Sequence, residues 1–388
     1  MTETSFIDAF LRPFDRGGAG VLVGPGSDCA AVRPSRGHQL VATTDAVVEG
    51  VHFDRRWFAA EDVGHKALAV NLSDLAAAGA RPRWFLCALG VPREARAQAY
   101  AARMARGMAA LARAHGCAII GGNVSAASQW SVTITALGEA RRPLARAGGR
   151  PGDALVLAGG LGDAAAALRV LSAPFAAPLP APPPAPAGAD PLRPRDEASS
   201  HPRHSARASG ADPLRVRDEA SSHPRQSARA PGGDPLRVRD EASRPVRHQL
   251  RGLARSLLRA QLRPAPLVEA GLAAASLASA AIDVSDGLLR DLAHLCEQSG
   301  CGAAVECAAL PIGRLAAREA DALELALAGG EDYALLLSVR PRRLGALLRA
   351  IPGAVQIGRL VPAREGLSLT EHGAPRPLPA RRGFDHLA

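Results

Sequence analysis

Short apolar or alternating runs, bounded by Gly, Pro and Asp, take turns along the chain with longer Ala- and Leu-rich segments of helical period. The short runs predict strands at 38–45, 84–90, 117–121, 130–138, 154–158, 279–284, 332–338 and 355–361. The longer segments predict helices at 62–79, opened by Asp62 and closed by Gly79, and at 94–115, 162–172, from about 250, 287–299 and 342–350. For the helix at 287–299, Asp286 is the expected N-cap and Gly300 the C-cap. The alternation predicts an α/β or α+β chain in two lobes, residues 1–149 and 150–388, divided near Gly149.

Residues 173–250 break this pattern. A Pro/Ala run from Ala177 to Ala187 leads into a segment that begins at Gly188, recurs from Gly210 and recurs again, decayed, from Gly232. Asp190, Asp212 and Asp234 mark its period of 22 residues. The repeat lacks the apolar positions a solenoid needs for stacking, and Pro returns in every copy. The expectation is a disordered insertion into the C-terminal lobe.

Composition narrows the function classes. Hydrophobic residues are 47% and charged residues 22% of 388, enough to build a core, but aromatics are only 3%, so that core is aliphatic. The net charge is +10, and Lys66 is the only lysine. A P-loop is therefore excluded, because His65 precedes Lys66 and Ala67 follows it. No H-R-D loop of a protein kinase occurs. The positive charge comes with neither interleaved aromatics nor a basic helix, so no nucleic-acid partner is expected. The N-terminus, with Glu3 and Asp8, shows no signal-like run, and the longest apolar stretch, Ala270 to Ile282, is too short for a bilayer. Six cysteines form no C-x-x-C pair, and His294, Cys296, Cys301 and Cys307 have no zinc spacing. A cytoplasmic protein with free thiols is expected, with no membrane partner.

The chemistry-bearing residues are acids at the ends of apolar elements. Asp28 lies in G-P-G-S-D-C-A, Asp45 ends T-T-D, and Asp74 sits near the end of its helix in N-L-S-D-L. A carboxylate there faces the negative end of the helix dipole, which favours a nearby cation. Asp283 interrupts A-A-I-D-V-S-D-G and Asp286 follows it; Glu331 and Asp332 lie in G-G-E-D-Y. Taken singly, Asp286 reads as a cap, Asp74 as a surface residue and Asp332 as a turn residue. Together they point to a hard-cation site of the Mg²⁺ type, shared between carboxylates and phosphates. Gly121-Gly122-Asn123 follows a strand and permits close approach of a phosphate. The loop at 159–165 has the form G-x-G-x-x-A, but the acid expected about 20 residues on is absent, so it reads as a tight strand–helix turn.

The ordered set of motifs resembles a known family. G-S-D-C-A, T-T-D, H-F at 52–53, K-A-L-A-V-N-L-S-D-L-A-A-A-G-A, I-I-G-G-N, R-A-G-G-R-P-G-D, A-I-D-V-S-D-G-L, G-G-E-D-Y and the terminal G-F-D-H occur in sequence. They resemble the thiamine-monophosphate kinases, within the superfamily that includes aminoimidazole ribonucleotide synthetase. The resemblance implies transfer of phosphate from ATP to thiamine monophosphate, giving thiamine diphosphate, by direct in-line transfer between Mg-bound phosphates. It implies a homodimer of two-lobed, synthetase-like chains, with the N-terminal lobe binding ATP and several Mg²⁺ ions. By matching motif, Asp28, Thr43, Thr44, Asp45, Asp74, Asn123, Asp283 and Asp286 are the implied metal ligands. Gly121, Gly122, Arg146 and Ser285 are the implied ATP contacts. His52, Glu331 and Phe384 are the implied contacts to the thiamine moiety, Glu331 either to the cationic thiazolium or to the aminopyrimidine. No general base is assigned. Three positions depart from the family pattern: Ser27 for the first acid of G-D-D, Asn123 for the acid of G-G-D, and Leu267 for an Arg after P-x-P. Two alternatives stay open: a catalytically weak homologue that binds nucleotide or thiamine phosphate, and a sister ATP-dependent enzyme with another acceptor.

Overall fold

The computed structural model describes residues 2–15, 17–172 and 255–384, which all fall in one compact unit. The repeats from Gly188, Gly210 and Gly232, and Asp385 and His386 of the terminal motif, lie outside the described residues.

Helix α1 (Glu3–Leu11) begins at Thr2, whose hydroxyl accepts from Ser5 N at 3.3 Å. A small ribbon follows, β1 (Val21–Val23) with β2 (Ala31–Val32). The next strands are β3 (Gln39–Val48), β4 (Arg81–Val91), β5 (Ala118–Ala126) and β6 (Ser131–Ala140). They make a sheet ordered β3-β6-β4-β5, in which only β4 and β5 run parallel. Helices α2 (Ala60–Ala77) and α3 (Ala97–Ala114) supply its core face.

The rest of the described chain builds a seven-stranded sheet. Its strands are β7 (Ala154–Ala158), β8 (Ala278–Val284), β9 (Cys301–Glu306), β10 (Ala334–Val339), β11 (Val355–Pro362), β12 (Leu367–Glu371) and β13 (Ala374–Arg376), ordered β13-β12-β9-β11-β7-β10-β8. Its helices are α4 (Asp163–Ser172), α5 (Arg255–Leu262), α6 (Val268–Ala274), α7 (Leu288–Ser299), α8 (Ala322–Ala328) and α9 (Pro341–Ala350). Both faces are covered, which explains why its central strands read as unbroken apolar runs. Val156, Leu335 and Leu337 join the core around α2, whereas Leu155, Leu157 and Leu336 join a second core with Leu288, Leu292 and Leu295 of α7.

Helix α2 is shared by the two sheets, and thirteen of its eighteen residues are buried. Small residues allow this. A Cβ on Gly107 of α3 would meet Glu61 O at 1.9 Å, and one on Gly64 of α2 would meet Met104 O at the same distance. Only glycine lets the two helix backbones come so close.

Mixed α/β architecture is as expected, with element ends shifted by a few residues. Helix α2 starts at Ala60 rather than Asp62; the Asp62 carboxylate reaches back to accept from Ala59 N at 3.1 Å. Asp286 is not the cap of α7. Gly287 occupies that position, and the carboxylate of Asp291 accepts from the N–H groups of Ser285, Asp286 and Gly287 at 3.0, 3.0 and 3.2 Å. Gly300 ends that helix at φ 63°, in the left-handed conformation foreseen for it. Asp332 is more than a turn residue. It accepts from Gly162 N at 2.8 Å and so occupies the N-terminus of α4 that a dinucleotide would need. No expectation covered β9, β12 or β13.

Candidate active site

A cavity of about 980 Å³ opens between α2, the end of β3, the loop after β8 and the G-G-E-D-Y loop. Strand alternation decides what β3 contributes. Thr43 and Asp45 face α2, and the Thr43 hydroxyl donates to Asp74 at 2.5 Å. Thr44 faces the other way, its hydroxyl donating to Ile134 O at 3.0 Å and lying 3.1 Å from Thr135. The N-L-S-D segment of α2 then fixes the acids. Asn71 Oδ1 accepts from Asp45 N at 3.0 Å, and the Ser73 hydroxyl donates to Asp283 at 2.7 Å. Asp283 arrives on β8, Asp286 follows in the loop, and Arg146 comes from the connection between β6 and β7.

Asp45, Asp74, Asp283 and Asp286 thus line one end of the cavity. Asp286 pairs with Arg290 at 3.5 Å, while burial dominates the other three. Burial, then the charge of Asp74 and a hydrogen bond to it, push the Asp45 carboxyl up to about 7. Burial, then Asp74, push Asp283 up to about 8 although Ser73 donates to it. Burial raises Asp74 too, against the opposing pull of the Thr43 hydroxyl and the Arg146 guanidinium. Among the described residues, no three acidic, imidazole or thiol groups close into a metal shell of their own. The donor set nevertheless fits Mg²⁺. It is all hard oxygen with surplus negative charge, and Mg²⁺ ordinarily takes one or two carboxylates and completes its shell with water and phosphate.

The other end of the cavity is built differently. Lys66, 1% exposed, donates from Nζ to Glu331 at 2.7 Å and to His52 O at 3.0 Å, and stands 5.3 Å from the centre of the Phe58 ring. Gln261 of α5 donates from Nε2 to the second Glu331 oxygen at 2.6 Å. Glu331 itself has φ 60° and Tyr333 φ 50°, left-handed conformations that cost about 1–3 kcal/mol each and persist only where surroundings enforce them. Phe384 reaches the cavity from the C-terminal segment, beside Asp286. Its N–H donates to Asp286 O at 2.9 Å, and its carbonyl accepts from Arg290. His52 lines the cavity, and its Nδ1 accepts from Val48 N at 3.2 Å.

Of the residues singled out by sequence, the cavity lining gathers Asp45, His52, Asp74, Arg146, Asp283, Ser285, Asp286, Glu331 and Phe384. Thr43 is linked to it through Asp74. Asp28, Thr44, Gly121, Gly122 and Asn123 are not in that lining. Asp45, Ile134, Cys87 and Gly122 form one cross-strand row, so three strand spacings, about 14 Å, separate Asp45 from Gly122. Asp28 lies in the turn of the β1–β2 ribbon, which packs through Val21 and Val32 on Trp84, on the sheet face opposite α2. Sequence reasoning missed Lys66, Asn71, Ser73, Gln261 and Tyr333. For the first three the signal was present: polar residues set among the apolar positions of the helix segment from Lys66 to Leu75.

The N-terminal domain of AIR synthase related proteins matches residues 26–140, and their C-terminal domain matches residues 244–369. The thiamine-monophosphate kinase of Salmonella typhimurium is 32% identical over 377 residues, covering 95% of this chain and 93% of that protein. The crystal structure of the thiamine-monophosphate kinase from Stenotrophomonas maltophilia K279a superposes with a TM-score of 0.66 at 28% identity, covering 97% of this chain and 98% of that one. A structure of AaThiL complexed with AMPPCP and TMP superposes with a TM-score of 0.63, covering 99% and 96%; at 24% identity it speaks for the fold. The chain belongs to the thiamine-monophosphate kinase family of AIR synthase related proteins.

Proposed function

We propose that the chain transfers the γ-phosphoryl group of ATP to thiamine monophosphate, giving thiamine diphosphate and ADP. The observation that carries this reading is a single cavity lined both by four carboxylates and by Glu331 and Phe384, in a chain of this family. The acceptor is a phosphate monoester, already largely anionic at neutral pH. It requires no general base and no nucleophilic side chain. It requires neutralisation of two phosphate groups and their alignment.

Asp45, Asp74, Asp283 and Asp286 are the residues that would hold Mg²⁺. When bound, the ion supplies charge neutralisation and a template for the phosphate oxygens. Arg146, beside Asp74, adds planar donors suited to phosphate. Ser285 stands in the same loop as a hydroxyl donor. His52, Glu331 and Phe384 orient the thiamine end.

Homodimerisation is part of this reading. The face of the four-stranded sheet opposite α2 leaves Leu40 47% exposed, with Ala42, Thr44 and Ala46 exposed along the same strand. We assign this face to a second copy of the chain. Asp28, Gly121 and Asn123 lie toward it, so any part they take in metal or nucleotide binding belongs to the dimer; Gly122 stands in the row of Asp45, Ile134 and Cys87 on the α2 face. The free thiols Cys29, Cys87, Cys117, Cys296, Cys301 and Cys307 suit a reducing cytoplasm. Among the described residues no helix is long and apolar enough to cross a membrane.

The test is direct. Purified protein with ATP, MgCl₂ and thiamine monophosphate is assayed for thiamine diphosphate and ADP in equal amounts. Binding of both substrates without product, beside an active family member under the same conditions, overturns the catalytic reading.

A further inference from the structure

Lys66 and Gln261 form a buried network with Glu331 that the reaction outlined above does not explain. We propose that these two are positioning residues which turn Glu331 into a charge-balanced hydrogen-bond acceptor. That acceptor reads the exocyclic amino group of the substrate's pyrimidine ring rather than the positive charge of its thiazolium ring. The inference rests on the reading that thiamine monophosphate occupies this cavity.

Charge comes first. Glu331 has one oxygen on Lys66 Nζ at 2.7 Å and the other on Gln261 Nε2 at 2.6 Å. The ammonium is otherwise engaged by His52 O and the face of the Phe58 ring. Lys66 is therefore held by the protein, not presented to a ligand, and it is absent from the cavity lining. The Lys66–Glu331 pair carries no net charge. A counter-ion for a ring cation needs surplus negative charge, which this neutral pair does not supply.

Acceptor capacity comes second. Each carboxylate oxygen has two lone-pair directions, and each is shown with one donor. The Glu331 side chain keeps 28% of its surface open and lines the cavity, so unused acceptor directions face the space a ligand would fill. Its backbone is pinned, with φ 60° and its N–H donating to Ser285 O at 2.6 Å. Gln261 is 2% exposed, and its Oε1 has no partner among the described residues, so the amide is oriented to donate to the carboxylate at the expense of its own acceptor.

Position comes third. Lys66 and Asp74 are eight residues apart on α2, about 12 Å along the axis. A phosphate drawn to Asp74 leaves the far part of the substrate toward the carboxylate oxygen that Lys66 holds. In thiamine monophosphate that part is the aminopyrimidine; the thiazolium lies between it and the phosphate.

The test compares three acceptors on the full chain with ATP and MgCl₂: thiamine monophosphate, its 4′-oxo analogue, and an analogue whose thiazolium is replaced by neutral thiophene. The oxo analogue should lose at least about 100-fold in kcat/KM, since an acceptor that the bound substrate shuts off from water then faces another acceptor. The thiophene analogue should lose less than about tenfold. In Glu331→Gln combined with Lys66→Met, which replaces the charged pair by a neutral one, the amide can donate as well as accept, and the preference against the oxo analogue should shrink at least tenfold through KM. Gln261→Met, which leaves the ion pair intact, should raise KM for thiamine monophosphate severalfold with kcat little changed. Turnover of thiamine monophosphate with equal tolerance of the oxo analogue, or a collapse with the thiophene analogue, overturns this inference alone. No turnover of thiamine monophosphate by the unaltered chain overturns the functional reading and this inference with it.

Discussion

The two ends of the cavity bury charge in opposite ways. Around Lys66 an ammonium and an amide nitrogen each donate to one carboxylate, which balances the buried positive charge. Around Asp74 several carboxylates crowd together with the guanidinium groups of Arg146 and Arg290, and the proton affinities of Asp45, Asp74 and Asp283 rise. A buried charge closed within the protein is a scaffold. A buried charge left open is an unfinished site that awaits a cation. The comparison assigns stability to the first end and phosphate chemistry to the second.

The largest effect should come from opening the closed end. Glu331→Ala leaves the Lys66 ammonium buried without its partner, and such removals cost about 3–5 kcal/mol. Lys66→Met should cost less, because Glu331 is part-exposed and can rehydrate. Urea denaturation of both variants checks the order; equal costs would break the distinction between scaffold and solvent-facing partner. Next come the acids. Asp45→Asn and Asp74→Asn should each lower kcat by about 10²–10³, the scale seen when one preorganised electrostatic group is removed. Without divalent cation, each should melt no lower than the parent chain, because a repelled buried carboxylate has been neutralised. Activity near that of the parent in both variants would detach these residues from the reaction.

How far the sequence foretold this follows from range of interaction. Asp283 was legible because a carboxylate inside an apolar strand has no local reason to be there. Helix α2 was legible from its length, whereas β9, C-G-A-A-V-E, lacks the alternation that marks a half-exposed strand because nearly all of it is covered. Thr43, Thr44 and Asp45 looked like one triplet, yet a period of two sends Thr44 to the opposite face. Gln261 carried no local signal, since its partner is 70 residues away in sequence. Lys66 excluded a P-loop by its neighbours, but only the fold shows what it holds. Asp28 was named as an acid in a glycine-rich loop and Asn123 as a metal ligand by family resemblance; the packing of the β1–β2 ribbon and the strand register set them toward the other face.

pH sharpens the comparison further. Asp45 and Asp283 have folded-state values of about 7 and about 8, above an ordinary carboxyl. Groups raised on folding stabilise the native state most at low pH, below their unfolded values. That contribution is lost as pH rises, here from about 4 up to about 7–8. In chelator, the melting temperature should therefore fall across this window. Asp332, raised to about 7 by burial, adds a fall of the same sign at a site with no cation role. Mg²⁺ competes with the protons only at the cavity, so the difference between scans with and without MgCl₂ isolates the acidic end. At a hundredfold excess over its Kd the gain is about 2.7 kcal/mol near pH 8, shrinking toward pH 5. A gain independent of pH would mean that the ion binds elsewhere.

The smallest effect belongs to the cavity rim. Arg169 of α4 pairs with Asp321 at 2.6 Å, with side chains 49% and 34% exposed. Water screens this pair, and fixing two mobile side chains offsets much of the attraction, so Arg169→Ala should cost only about 0.2–1 kcal/mol. The same geometry that is worth several kcal/mol at Lys66 is worth little here, because removal of one partner leaves the other solvated rather than stranded. A loss at Arg169 as large as that at Glu331 would show that ion pairing itself, not burial, sets the cost. The contrast between closed and open buried charge would then no longer explain the site.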